Sequence, residues 1–240
     1  MDVPNDSGAT KIIVSKRLTR DLSALIAEGP ANGIYIKCVV PDDPRKLRMM
    51  LVGPHGPYEN CLFFFDIDFP TPYPINSPHV THQCLYSIRC HPNLYHGPAA
   101  KVCLSILGTW AGPPWTPMMS LNTIAQTILS ILDDTPLRNE PGYVNSSLEQ
   151  IQPYTDYVQY VCLKESCVLY NHALKGTIVD AMPAFADFRD EILQVLAAKK
   201  DRINEQITSL MKLHEGQFVK PGKFYGNTSY ANAIYRLEPL

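Results

Sequence analysis

The apolar positions of the chain change period twice. Over residues 15–30, SKRLTRDLSALIAEGP sets Leu18, Leu22, Leu25 and Ile26 at i, i+4, i+7 and i+8, one face of an amphipathic helix. Ser15 stands where an N-cap belongs, and Gly29-Pro30 where a helix stops. Lys16, Arg17 and Arg20 fall largely off that stripe, and such charge reads first as a solvated face and second as a docking surface. From residue 34 the period shortens. IYIKCVV (34–40), KLRMMLVG (46–53), CLFFFDIDF (61–69) and HVTHQC (79–84) are short β-branched or aromatic runs bounded by Pro, Gly and Asn. They predict a four-stranded antiparallel meander. The connection GPHGPYEN (53–60) is turn chemistry throughout, and TPYPINSP (71–78), with three prolines, predicts a stiff exposed loop.

The helical period then returns. SLNTIAQTILSILDD (120–134) puts Leu121, Ile124, Ile128 and Ile131 or Leu132 on one face behind a Ser120 N-cap. Residues 147–174 and 182–215 predict two long helices. The second carries Phe185, Phe188, Ile192, Val195, Leu196, Ile203, Ile207 and Leu210 at helical spacing, a pattern of core packing. The order of helix, four strands, proline-rich segment and helices makes the class α+β. It divides the chain into a loosely ordered tail (1–14), a core domain (15–145) and a helical C-terminal extension (146–240).

Composition narrows the function classes. A net charge of -2 over 240 residues argues against nucleic-acid binding, which rests on clustered Lys and Arg. No apolar run approaches the roughly 20 residues of a membrane span. The first ten residues, MDVPNDSGAT, lack the basic start and apolar stretch of a secretory signal. Seven cysteines, an odd number with no C-x-x-C pair, argue against a disulfide framework and point to a reducing cytosolic or nuclear setting.

Chemistry concentrates around KVCLSILGTWAGPPW (101–115), where Cys103 admits three roles. Zinc is suggested by His79, His82, Cys84, Cys90 and His91, which lie within thirteen residues. However, His79 and His82 are three apart on a predicted strand and point to opposite faces, so no metal site is expected. A cysteine hydrolase needs a base bonded to the thiol and an orienting partner for that base. Nothing marks His91 or His96 for that role. The third role is a thioester carrier.

HPNLYHGPAAKVCLSILGTW resembles the active-site segment of ubiquitin-conjugating enzymes, in which a His-Pro-Asn tripeptide and a short flap precede the cysteine. GPHGPYENCLFFF is similar to the family's G-P-x-x-x-P-Y-E-x-x-x-F hairpin, FPTPYPINSPHV to its F-P-x-x-Y-P-x-x-P-x-V loop, and WTP (115–117) to its W-S-P. The motifs come in the family's order over roughly residues 15–145. KVCLSILGTW, the added AGPP and NEPGY (139–143) resemble the large Z-type members, whose helical extension is matched by YTDYVQYVCLKES, FADFRDEILQV and, more weakly, SYANAIYRL.

The resemblance implies the ubiquitin-conjugating (UBC) fold and a set of roles. Cys103 would take ubiquitin, or a related modifier, from an activating enzyme as a thioester and pass it to a substrate lysine with a ligase. The alternative is a catalytically silent binding module of the same fold. Asn93 would stabilise the oxyanion or hold the flap, His91 would scaffold that loop, and Tyr95 would pack in it. Lys16, Arg17 and Arg20 match where the family docks its activating enzyme. Pro72, Tyr73 and Pro74, with Trp110, Pro113 and Pro114, match its ligase-docking loops; Trp110 and Trp115 read as packing anchors within them. No cofactor is expected, because ATP is used by the activating enzyme and no G-x-x-x-x-G-K-[ST] occurs.

The departures matter as well. HGPAA replaces x-N-G, so Asn93 and Cys103 are two residues farther apart than in the family pattern, which predicts a bulged flap and an altered Asn93 geometry. Thr135 precedes Pro136 where an acidic or amide residue is usual, leaving Asp133 or Asp134 to orient the incoming lysine. Ser105 stands where minimal members carry Asp. Glu59-Asn60-Cys61 replaces Glu-Gly-Gly, a turn that Asn can sustain in the left-handed conformation.

Overall fold

Each start and stop signal acts locally as its chemistry requires. In the computed structural model, which describes residues 15–41, 43–85, 89–97, 100–214, 216–218 and 234–240, helix α1 runs Lys16–Glu28. Ser15 Oγ accepts from the Leu18 N–H, and Gly29 caps the end. The tail over 1–14 and the first five residues of SYANAIYRL lie outside the described residues. Leu18 and Leu25 are buried and Leu22 packs against them, but Ile26 is exposed. At i+8 it stands about 80° around the helix from Leu18, beyond the buried stripe.

Strands β1 (Ile34–Cys38), β2 (Lys46–Val52), β3 (Leu62–Asp68) and β4 (His79–Gln83) form one antiparallel sheet in sequence order. The register pairs Ile36 with Met49, Met49 with Phe65, and Phe65 with His82, so these share one face. Tyr35, Met50, Phe64 and Gln83 share the other. The β2–β3 hairpin turns at Asn60, whose φ of 63° is left-handed as the Glu-Asn-Cys substitution requires.

Helix α2 (Leu121–Ile131) starts on a capping box between Ser120 and Thr123. Helix α3 (Leu148–Lys175) starts on a second box, Ser147 with Gln150, and ends at Gly176 with φ 70°. A short helix α4 (Ile178–Ala181) follows, unforeseen from the pattern. The helix expected over 182–215 is shorter: Pro183–Phe188 is a 3-10 turn, and helix α5 runs Arg189–His214. Pro183 supplies no N–H, and three residues per turn stack Phe185 and Phe188 on one line. That line lies on Phe64, with ring centroids 4.5 and 5.6 Å away. The extension therefore covers the second face of the sheet. Lys37 and Arg48 on that face donate to the Asp187 and Ala184 carbonyls.

Candidate active site

Residues 89–97 and 100–109 build a seat for Cys103. Residues 91–94 close a turn, with the Leu94 N–H donating to the His91 carbonyl at 3.0 Å. The chain then pairs with itself. The Cys103 N–H donates to the Asn93 carbonyl, and the Tyr95 N–H to the Lys101 carbonyl, both at 2.9 Å. The Asn93 side chain completes the junction, its Nδ2 donating to the Cys103 carbonyl at 2.8 Å. The longer HGPAA segment therefore does not displace Asn93. The surplus residues lie beyond the Tyr95–Lys101 pair, of which Pro98 and Ala99 fall outside the described residues. The His82 N–H, donating to the Ala100 carbonyl at 2.7 Å, ties residue 100 to β4.

Two residues of the quoted motifs that carried no expected role fix the other side. Thr109 Oγ1 accepts from the Leu104 N–H at 2.9 Å and donates to the Val102 carbonyl at 2.6 Å, bracketing Cys103. Tyr58, from the hairpin connection, donates to the Cys90 carbonyl at 3.0 Å from full burial. Its ring lies 6.0 Å from that of His91. His91 is wholly buried, and its Nδ1 accepts from the Asn93 N–H at 3.0 Å. Burial pulls its pKa down to about 3. It is neutral at physiological pH and shapes the turn.

His82, buried against Phe65, is pulled down by burial to about 4. Both histidines titrate near 6.5 when unfolded. The unfolded chain therefore binds protons below that pH that the folded one refuses. Stability should be complete above about pH 6.5 and fall on acidification by about 1.4 kcal/mol per pH unit for each histidine. Urea melts between pH 7 and pH 4.5 check this, with the slope roughly halved in His82→Asn.

The Cys103 residue is 3% exposed. Burial pushes its thiol pKa up, Lys101 and Arg89 work against that push, and Glu140 adds to it. Cys38, Cys61, Cys162 and Cys167 are also pushed up by burial, without the cationic compensation that Cys103 receives. The Arg89 guanidinium lies 4.0 Å from the Tyr95 ring centroid.

Several expected site residues are engaged elsewhere. Asp133 accepts from the Thr135 N–H at 2.7 Å and from Asn139 Nδ2 at 3.0 Å, which commits both oxygens to the turn before Pro136. Asp134 is exposed and pairs with His55 at 3.0 Å. The acid whose charge reaches Cys103 is Glu140, from NEPGY.

Arg17 is not a free cation. It pairs with Asp21 at 2.8 Å and donates to the Pro117 and Met119 carbonyls at 3.1 and 2.7 Å. Lys16 and Arg20 are exposed. Tyr73 is buried and donates to Asp21, so its ring is structural, while Pro72 is exposed and Pro74 half-buried. Trp115 Nε1 donates to the Pro74 carbonyl at 2.8 Å and locks the two loops together. Trp110, 44% exposed, and Pro113 and Pro114 stand outward. Trp110 is thus not the packing anchor that its size suggested. Among the described residues, no group of three His, Cys, Asp or Glu side chains is placed to hold a metal, and no helix is long and apolar enough to cross a membrane.

Comparison with known proteins bears on this site. The sequence model of the family described as ubiquitin-conjugating enzyme matches residues 17–161. Ubiquitin-conjugating enzyme E2 Z of Xenopus tropicalis is 37% identical over 147 residues, covering 59% of this chain and 44% of that protein. The Homo sapiens E2 Z is 39% identical over 132 residues, covering 53% and 36%. The matched segment thus spans less than half the length of these relatives. A solved Toxoplasma gondii ubiquitin conjugating enzyme E2 domain is 26% identical, with a TM-score of 0.46 over 63% of this chain and 95% of that one.

Proposed function

This chain belongs to the ubiquitin-conjugating enzyme family, and from that premise we propose that Cys103 is its acyl carrier. Its helix, four-stranded meander and C-terminal helices form the family's fold. In the first step the Cys103 thiolate attacks the carbonyl carbon of a thioester joining ubiquitin, or a related modifier, to an activating enzyme, whose own thiolate leaves. In the second, a substrate lysine nitrogen attacks the Cys103 thioester with a ligase holding the two together. The chain itself needs no cofactor, since ATP is consumed upstream. Its unpaired thiols, Cys38, Cys61, Cys90, Cys103, Cys162 and Cys167, suit a reducing cytosolic or nuclear setting.

The observation that carries the reading is the double junction of Asn93 to Cys103, by backbone and by side chain, at 2.9 and 2.8 Å. It holds a thiol in fixed geometry with an amide donor beside the carbonyl it will bear. Among the described residues no base hydrogen-bonds the thiol, and an acyl group that arrives already activated has less need of one. An amide nitrogen has two N–H groups. One binds the Cys103 carbonyl, and the other is left for the oxyanion.

The test is charging. Incubation with activating enzyme, ATP and ubiquitin should give a band one ubiquitin heavier that thiols remove. Failure with every activating enzyme and modifier tried would instead support a silent binding module. Asn93→Ala should charge nearly as wild type, yet discharge to free lysine about 10²-fold more slowly. Equal discharge rates would leave Asn93 no catalytic part.

A further inference from the structure

One charged group ties two points of the flap to a neighbouring turn without belonging to the His-Pro-Asn motif. Arg89 donates to the Pro92 carbonyl, lays its guanidinium 4.0 Å from the Tyr95 ring centroid, and meets Glu140 at 3.4 Å. These contacts bind the turn that enters Asn93, the flap strand beyond it, and the 136–142 turn from the far side of α2. An arginine suits this place, because a planar fork can stack and donate at once where a lysine cannot. Both partners are largely sheltered, with 18% and 22% of their side chains exposed, so their charges are screened less than those of surface pairs.

Resting on the acyl-carrier reading, we propose that Arg89 is a positioning residue for transfer through Cys103, with Glu140 as its counterweight. Arg89 holds the Asn93 flap in register and keeps a fixed positive charge near the thiol. Glu140 anchors Arg89 and limits that charge. Negative charge gathers on Sγ in both steps. It is there first in the attacking thiolate. It returns when the lysine nitrogen bonds to the carbonyl carbon and the C–S bond breaks, leaving its electron pair on sulfur while the amine proton passes to water. A fixed cation assists both events. Lys101 also reaches the thiol, but its side chain is exposed and its part in the flap is its backbone carbonyl, which accepts from the Tyr95 N–H.

The experiment is alkylation of Cys103 by iodoacetamide between pH 7 and 11, on the full chain, with peptide mass spectrometry separating Cys103 from the other six cysteines. Arg89→Gln should move the midpoint up and slow alkylation about threefold at fixed pH, and Glu140→Gln should move it down by a similar amount. Arg89→Lys should keep the midpoint and slow thioester discharge, since it retains the charge and loses the stack. An unmoved midpoint in Arg89→Gln, or an upward shift in Glu140→Gln, overturns the proposal. If Arg89→Gln does not fold, the direction of the Glu140→Gln shift decides alone. Alkylation needs neither ubiquitin nor activating enzyme. Opposite shifts in a chain that never charges would therefore sink the acyl-carrier reading and leave the electrostatic arrangement standing.

Discussion

Cys103→Ala should abolish the thiol-sensitive ubiquitin adduct entirely, and Cys103→Ser should replace it with a slowly formed adduct that survives reducing agent. The alanine carries no nucleophile. The serine hydroxyl is a far weaker one, and the oxyester it forms resists thiols and yields to hydroxide. Burial holds the Cys103 thiol above its ordinary range, so the reactive thiolate is a few per cent at most at pH 7. Charging of the wild type should accordingly rise with pH, close to tenfold per unit between pH 6 and 8, until the thiol titrates. Non-reducing gels with and without reductant separate the three proteins, and melting curves confirm that each is folded. Persistence of the thiol-sensitive band in Cys103→Ala would transfer the role to another thiol. The exposed Cys38 at the end of β1 would be first among them, and the site assignment would fail.

Sequence alone singled out Cys103 and Asn93 but did not show how they meet. Counting residues between them put the Asn93 geometry in doubt, because spacing along a chain does not reveal where the backbone pairs. Once Tyr95 bonds to Lys101, any surplus is confined to the tip and the inner pair keeps its register. The same limit explains Asp133 and Asp134. Their position near Pro136 resembles that of a lysine-orienting residue, yet one caps its own turn and the other faces His55. Glu140 and Arg89 were invisible for the opposite reason, since residues 51 apart become neighbours only in three dimensions. The strands were legible from their runs and two helix starts from Ser15 and Ser120. Phe63-Phe64-Phe65 read as one strand, and a strand apolar on both faces is one covered on both sides. What covers the second face could not be read, because Phe185 and Phe188 sit in a 3-10 turn inside an apparent helix pattern.

Phe188→Ala should cost about 3–5 kcal/mol, a large part of the 5–15 kcal/mol that holds a typical domain folded. Phe188 is wholly buried, edge-on to Phe64, with the Lys37 ammonium 5.4 Å from its ring centroid. Deleting residues 177–240 should go further and yield an unfolded or aggregated product, because Phe64 and the tyrosine-rich side of α3 would face water. Polar contacts fix where the extension docks. Gln206 accepts from Asn60 Nδ2 at 2.9 Å, and Tyr170 donates to the Asn60 carbonyl at 2.9 Å. Gln206→Ala would leave the Asn60 amide buried without its partner, at a cost of about 1–3 kcal/mol. Arg202→Ala should barely move the urea midpoint, since its pair with Glu59 lies at the surface. An Arg202→Ala loss equal to that of Phe188→Ala would show the docking to be electrostatic and refute this account. The ordering also reaches the active site. Asn60 and Tyr58 belong to one turn, and Tyr58 is the residue that holds the Cys90 carbonyl next to His91. Loosening the extension should therefore release that turn first, and charging at Cys103 should fall in step with the loss of folded protein across the series.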